Sequence, residues 1–377
     1  MKKIKFRMGL VALVSLGLFA FVFLPACAST QAAQEPMPSI TALVASIDRF
    51  GNISLDIPAS DVLEAGFQLG DMVRLETGTF DGVVPLASSY SDVDIGLPLI
   101  RLHPTANVTM IAINMGNFTE AYLAEEGGEA VITLVNQGGY LAELEIRSLE
   151  RSYDRADYPS DVIFANFREA RLGNMGPNVL FRSTHPALNE GEMSSRAPYA
   201  QRLAEAAGIA TVINLADTPE ELPLRTAGVP WYQGFVNRGS IITLGMGVDY
   251  RAPDFADKLK TGIEFMLVNN PPYLIHCNEG KDRAGVVTAL LAALMGASPE
   301  AIVEDYMLSY SNFFGVTRSE DRYGLIAGIM WDILADFNGG TIPVAGQTTA
   351  AAERYLSNVV GLSRAQINAL SQKLSGR

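Results

Sequence analysis

The sequence predicts two folded parts: a small all-β, barrel-like domain, followed by an α/β domain with a central, mostly parallel sheet flanked by helices. The chain has 377 residues, a length that suits about two domains. Residues 39–150 contain short runs in which apolar and polar residues alternate, and glycine-containing turns separate these runs. In residues 151–377, apolar strand-like runs alternate with helical segments, which is typical of a parallel sheet.

The composition excludes several classes of protein. Hydrophobic residues make up 48% of the chain and charged residues 18%, so the sequence can form packed cores and is not disordered. Two cysteines and three histidines are too few for a disulfide scaffold or a cysteine-rich zinc site. The net charge of −13 disfavours nucleic acid as a partner.

The N-terminus has the features of a lipoprotein signal peptide. A basic start precedes the apolar run at residues 9–24, which is short for a membrane-spanning helix. The run ends in LPAC at residues 24–27, which resembles a bacterial lipobox. We therefore expect cleavage of residues 1–26, a lipid (palmitate) anchor on Cys27, and a tether over residues 27–38. This predicts an extracytoplasmic protein anchored to the cell membrane. An ordinary secretory signal is the alternative.

The barrel-like domain is expected over residues 39–150. Its strand candidates are apolar or alternate with a period of two residues, and turn residues bound them. They are Ile40–Ile47, Ile53–Ile57, Val73–Thr77, Val108–Asn114 and Ala130–Val135.

Three fragments of this segment resemble the C-terminal barrel domain of the SAM hydroxide adenosyltransferase family. They are SIDRFGN at residues 46–52, VDIGLP at 93–98 and AINMGN at 112–117. The resemblance implies positions for Phe50 and Asn52 near an adenosyl ligand. The family's larger N-terminal domain, which carries its chemistry, is not expected in this chain. We therefore expect an accessory module of unknown ligand, in which these two residues hold a tight turn.

The second part, residues 151–377, contains the elements expected of an α/β domain. Strands are predicted at residues 209–215 and 272–275, and helices at 198–208, 254–268 and 286–295.

The segment between the second strand and the last helix carries the candidate chemistry. It reads HCNEGKDRAG from His276 to Gly285, with five residues between Cys277 and Arg283. A loop that leads into a helix directs backbone N–H groups at an anion, and the helix N-terminus carries a partial positive charge. The same positive charge favours the thiolate form of a cysteine. Cys277 is thus the candidate nucleophile, and Arg283 is suited to bidentate binding of phosphoryl oxygens.

The remaining loop residues are candidate substrate contacts: His276, Asn278, Glu279, Gly280 and Lys281. Gly280 permits close backbone approach. His276 is expected to fix the loop by hydrogen bonding and to help keep the thiol ionised. Lys281 adds a cation beside the phosphate, which suits highly charged substrates such as phosphoinositides or inositol phosphates.

This loop resembles the HCxxGxxR loop of the protein tyrosine phosphatase superfamily, and its GKDR sequence is similar to a bacterial tyrosine/lipid phosphatase branch. Flanking blocks extend the resemblance over about residues 161–375. They are NFR at 166–168, LFRS at 180–183, NLADTPEE at 214–221, EDYMLS at 304–309, and YL and GL at 355–356 and 361–362. The resemblance implies a phosphomonoesterase that needs no metal or organic cofactor.

Several aspartates are candidates for the general acid. The resemblance implies Asp282, within the loop, and Asp249 on a glycine-flanked segment is the second candidate. Asp254 and Asp217 suit a helix N-cap and a turn instead. Ala284 stands where the family usually has threonine or serine. This substitution bears on phosphoenzyme breakdown, not on phosphate binding.

The sequence therefore predicts a membrane-anchored phosphatase acting on phosphotyrosine in proteins. Cys277 would form a thiophosphate, Arg283 would stabilise the phosphoryl oxygens, and Asp282 would act as acid and then base. Two alternatives are open. The same loop could hydrolyse inositol phosphates or phosphoinositides, or the protein could be a lipoprotein that binds phosphate or a nucleoside without turnover.

Overall fold

The computed structural model describes residues 37–103 and 105–376. The predictions for the signal peptide and for Cys27 lie outside the described residues. From Pro38 onward the chain forms one compact unit. Among the described residues, no helix is both long and apolar enough to cross a membrane.

The first part of the chain is a closed seven-stranded barrel. Its strands are β1 (Ser39–Ile47), β2 (Ile53–Leu55), β3 (Met72–Thr77), β4 (Phe80–Ala87), β5 (Pro98–His103), β6 (Val108–Ile113) and β7 (Glu129–Asn136). The order is β1-β2-β6-β5-β4-β3-β7, and β7 closes on β1. Neighbouring strands are antiparallel except for β4 and β5. The predicted all-β barrel is confirmed.

The alternation of side chains explains why β3 and β7 form part of the barrel wall. Val73 and Leu75 in β3 are fully buried, as are Ala130 and Ile132 in β7, and more exposed residues separate them. Leu75 lies opposite Ile132 in the antiparallel register. The inward residues of both strands therefore share one apolar core.

The second part of the chain contains a five-stranded sheet in the order β11-β10-β12-β9-β8. Its strands are β8 (Arg168–Glu169), β9 (Leu180–Ser183), β10 (Thr211–Asn214), β11 (Ile241–Thr243) and β12 (Tyr273–His276). All neighbours are parallel except β8, which is antiparallel to β9. This confirms the predicted α/β domain with a mostly parallel sheet.

Helices α1 to α3 accompany the barrel, and α4 to α13 accompany the sheet. The α-helices are α1 (Ala59–Glu64), α2 (Phe118–Tyr122), α3 (Leu141–Arg147), α4 (Asp161–Phe164), α5 (Ala197–Ala206), α6 (Leu222–Arg225), α7 (Pro230–Asn237), α8 (Pro253–Val268), α9 (Asp282–Leu294), α10 (Pro299–Phe314), α11 (Asp321–Phe337), α12 (Thr348–Asn358) and α13 (Arg364–Leu374). Short 3₁₀ helices span Tyr90–Asp92, Arg155–Asp157 and Glu192–Arg196.

The central strand β12 has apolar cores on both of its faces. Tyr273 and Ile275 pack in the large core with α8 and α9. Leu274 points to the opposite face, where it packs in the core with α5 and α7. Because all three residues are fully buried, the strand is fixed on both sides, and its carboxyl end places Cys277 at the rim of the sheet.

Candidate active site

The candidate catalytic loop runs from Cys277, directly after β12, to Asp282, the first residue of α9. Gly280 lets this loop lie against β9. Its φ is +67°, and a Cβ added there would come within 2.0 Å of the Ser183 carbonyl oxygen. A side chain at this position would force the loop off the strand, so the close approach requires glycine.

The carbonyl groups of the loop are held from outside by hydrogen bonds. The backbone N–H of His185 donates to the Asn278 carbonyl at 3.1 Å, and the Asn166 amide donates to the Glu279 carbonyl at 3.2 Å. Arg182 donates to the carbonyls of Gly280 at 2.7 Å and Lys281 at 3.0 Å. In the described part of the chain, the N–H groups of residues 278–281 have no acceptor. This arrangement suits an anion.

A buried ion cluster supports the loop from below. Arg182 is 1% exposed and donates to Asp305 at 2.6 Å, and Arg168 donates to the same carboxylate at 2.7 Å. Burial and the nearby charge of Arg168 lower the pKa of Arg182 to about 10, so it stays charged at neutral pH. Burial opposes ionisation of Asp305, yet the two guanidinium groups lower its pKa. Two cations on one carboxylate leave one excess positive charge beside the loop.

His276 supports the loop from the interior of the protein. The ring is fully buried. Its Nε2 accepts from the Tyr232 hydroxyl at 2.7 Å, and Nδ1 faces the Cys277 carbonyl at 3.4 Å, so the proton belongs on Nδ1. Burial holds the pKa of His276 well below its usual range. The ring is therefore buried against the Cys277 carbonyl, and its contact with substrate and its help in ionising the thiol stay predictions.

Asp217 is not available as a general acid. Its side chain is fully buried and accepts from His185 at 2.8 Å, Asn214 at 2.8 Å and Arg225 at 2.7 Å. Burial alone would raise the pKa of Asp217, but these partners hold the pKa far below its usual range. The residue is an ionised structural group under the loop.

Of the other acid candidates, Asp282 alone belongs to the loop. Its side chain is 45% exposed at the start of α9. Asp249 is exposed between β11 and α8, where its carboxylate accepts the Arg251 N–H at 2.9 Å. Asp254 pairs with Lys258 at 2.7 Å within α8. Asp282 is thus the candidate that lies in the loop itself, and its role as the acid stays a prediction.

Arg283 and Ala284 follow in the first turn of α9. The Arg283 guanidinium donates to the Met246 carbonyl at 3.0 Å, so it lies at the sheet rim near the end of β11. Ala284 is fully buried. Cys277 is 3% exposed and forms no disulfide.

Lys281 faces α10 rather than open solvent. Its side chain is 7% exposed, and Nζ lies 3.6 Å from Glu279 and 3.5 Å from Asp282. It also lies 4.6 Å from the centre of the Tyr310 ring. Burial opposes its charge, but the two carboxylates raise the pKa of Lys281. The ammonium thus has two carboxylate partners in the structure, and its place as a cation beside the phosphate stays a prediction.

Sequence reasoning missed Arg151, which precedes the sheet. It donates to the Glu279 carboxylate at 2.7 Å, although the two residues are 128 positions apart in the sequence. No local pattern signals such a pair, because its two residues lie far apart in the chain.

In the barrel, Phe50 and Asn52 lie on the turn between β1 and β2. The Asp48 carboxylate accepts from the Phe50 N–H at 2.8 Å and from the Asn52 side chain at 2.9 Å. Both residues line a cleft of about 500 Å³ together with Asn114 and Asn117.

The parallel sheet, the strand–loop–helix and the cysteine–arginine spacing agree with the predicted resemblance to the protein tyrosine phosphatase superfamily. The comparisons with known proteins agree. The model of the tyrosine phosphatase family matches residues 249–376, and that of the SAM hydroxide adenosyltransferase C-terminal domain matches residues 42–131. Both predicted resemblances are confirmed, and residues 249–376 are similar to the tyrosine phosphatase family.

Solved structures give partial matches. A conserved protein from Thermotoga maritima is 29% identical over 26% of this chain and 38% of its own, with a TM-score of 0.24. A conserved hypothetical protein from Thermus thermophilus is 26% identical over 26% of this chain and 35% of its own, with a TM-score of 0.19. The chain thus spans little more than a third of either. The catalytic core of the PP-IP phosphatase SIW14 from S. cerevisiae is 19% identical over 50% of this chain and 97% of its own, with a TM-score of 0.27. No curated protein matches.

Proposed function

We propose that this protein is a phosphomonoesterase that hydrolyses phosphotyrosine in proteins through a thiophosphate on Cys277. The catalytic loop carries the proposal. The carbonyls of residues 278–281 are held from outside, and in the described part of the chain the N–H groups of the same residues have no acceptor, which leaves them for the phosphoryl oxygens. The excess positive charge of the Arg168–Asp305–Arg182 cluster supports a dianion in the same place.

The reaction has two steps. The Cys277 sulfur attacks phosphorus, the bond from phosphorus to the tyrosine oxygen breaks, and Asp282 gives its proton to that oxygen. Water then attacks the phosphoryl group, the S–P bond breaks, and the Asp282 carboxylate takes a proton from the water. Arg283 would turn from the Met246 carbonyl to two phosphoryl oxygens. The proposed steps use no metal or organic cofactor.

Assays of the full chain on matched peptides test the proposal. We expect hydrolysis of a phosphotyrosine peptide, much slower hydrolysis of the same peptide with phosphoserine, and no hydrolysis by Cys277→Ser. Activity that survives in Cys277→Ser would overturn the mechanism. Equal rates on the two peptides would overturn the substrate class.

Inositol phosphates are the second substrate class to compare. The cation of Lys281 in the loop suggests them. Against them, Lys281 is already paired with Glu279 and Asp282, so additional phosphates would gain little from it. We expect kcat/KM on inositol hexakisphosphate to be lower than on the phosphotyrosine peptide.

Binding without turnover is the remaining alternative, and it rests on Ala284. A single burst of product equal to the enzyme concentration, with no steady state, would support it. In that case Ala284→Ser should restore turnover by supplying a hydroxyl for release of the thiolate. A steady state in the unmodified protein would exclude it.

We further propose a lipid anchor on Cys27 that holds the protein at an extracytoplasmic membrane surface. The basic start, the apolar run and the LPAC sequence at residues 24–27 support it. Cys27→Ala should move the protein from the membrane fraction to the soluble fraction. Unchanged membrane association would refute the anchor.

A further inference from the structure

A chain of alternating charges runs along the side of the catalytic loop that faces α10. Arg151 lies 2.7 Å from one oxygen of Glu279, and the other oxygen lies 3.6 Å from Lys281. The same ammonium lies 3.5 Å from Asp282, the proposed general acid. Both oxygens of Glu279 therefore face cations, and the chain of charges links Arg151 to the residue that exchanges protons with substrate.

Arg151 is itself held firmly in place. Its side chain is 17% exposed and its Nε donates to the Tyr153 hydroxyl at 3.1 Å. The guanidinium lies 5.4–5.6 Å from the ring centres of Tyr153, Phe313 and Phe314. Burial opposes its charge, but the bond to Glu279 raises the pKa of Arg151. It is therefore a fixed cation on one side of the loop.

We propose that Arg151 is a positioning residue for the catalytic loop: it holds the Glu279 carboxylate away from the anion-binding N–H groups and leaves Lys281 paired with Asp282. Arg151 belongs to the segment between α3 of the barrel part and the first helix of the sheet part. It lies outside both ranges matched by family models, residues 42–131 and 249–376. The connecting segment thus completes the site.

The physical reason is charge repulsion. Glu279 is a carboxylate within a loop that must receive a phosphoryl dianion. Although burial opposes its ionisation, Arg151 and Lys281 lower the pKa of Glu279, so it is negative at neutral pH. Without Arg151, this charge would be incompletely paired, it would repel the substrate, and it would draw Lys281 away from Asp282.

This inference rests on the proposed function, and the same assays separate the two. We would measure kcat and KM on the phosphotyrosine peptide, and inhibition by inorganic phosphate, for the full chain and its variants. Arg151→Met should raise KM and the phosphate inhibition constant at least about tenfold, with a smaller change in kcat. Arg151→Lys, which keeps the charge, should recover part of the loss.

The double variant Arg151→Met/Glu279→Gln provides the decisive comparison, because it removes both charges. It should restore KM to within about threefold of the unmodified protein. Arg147→Met is the matched control, since Arg147 pairs with Asp94 and Glu143 and not with the loop. Normal KM in Arg151→Met, or no rescue by Glu279→Gln, would overturn the inference while leaving the phosphatase intact. An inactive unmodified protein would instead refute the proposed function.

Discussion

Gly280→Ala is expected to disable the catalytic loop through its close approach to β9. Gly280 has a φ of +67°, and the added Cβ would lie 2.0 Å from the Ser183 carbonyl oxygen and 3.0 Å from the Thr184 nitrogen. Both neighbours are backbone atoms, so no side chain can move aside to make room. The loop itself has to shift.

Gly315→Ala is a matched control for this perturbation. Gly315 ends α10 with a φ of +68°, and nothing lies within 4 Å of an added Cβ. Both variants bear the cost of a left-handed alanine, about 1–2 kcal/mol. Gly280→Ala bears in addition the cost of steric overlap in a packed site, about 1–3 kcal/mol. The difference between the two variants therefore measures the close approach alone.

The assays are denaturant unfolding and kcat/KM on the phosphotyrosine peptide. A displacement of about 1 Å in catalytic groups costs on the order of 100-fold in rate. We therefore expect Gly280→Ala to lose at least about 100-fold in kcat/KM, whereas Gly315→Ala stays near the unmodified value. Equal losses of stability and activity in the two variants would refute the reasoning, since the loop would then tolerate a side chain against Ser183.

Four further substitutions test other parts of the site. Asp282→Asn should lower kcat by about 100- to 10,000-fold, whereas Asp249→Asn should leave it unchanged; the reverse pattern would reassign the acid. Asp305→Asn should lower the free energy of unfolding by about 3–5 kcal/mol at neutral pH, because buried cations lose their partner. Since the pKa of Asp305 is lowered by folding, its contribution is complete above about pH 4 and is lost as the pH falls. The difference in the free energy of unfolding between the unmodified protein and Asp305→Asn, measured by denaturant unfolding, should thus become smaller in acid. A difference that does not change with pH would contradict this. Tyr232→Phe removes the hydrogen bond to His276 and should cost about 1–3 kcal/mol in the same assay; unchanged stability would argue against that support.

Local patterns predicted the class of both folded parts. Alternation located β1, β2, β3, β6 and β7, and the apolar run before Cys277 located β12. Strands β4 and β5 were missed because Pro85 lies within the first and Pro98 begins the second, and proline disfavours a strand assignment. Their pairing in the barrel depends on contacts between distant segments.

The candidate site was predictable where its chemistry is contiguous in the chain. Cys277, Asp282 and Arg283 lie within seven consecutive residues, so the sequence alone shows that they are neighbours. The surroundings of the loop were not predictable in the same way. The sequence predicts Lys281 as a cation beside the phosphate but does not show that the fold places it between two carboxylates, and Arg151 meets Glu279 only in the folded protein. Burial and pairing are properties of the tertiary structure, and they reverse simple expectations about charge.

Mass spectrometry of an acid-quenched reaction tests the central claim most directly. The full chain would be mixed with the phosphotyrosine peptide, quenched within one turnover and digested. We predict one phosphoryl group on the peptide that contains Cys277, and none in Cys277→Ser. A phosphoryl group on another residue, or product formed by Cys277→Ser, would contradict the account.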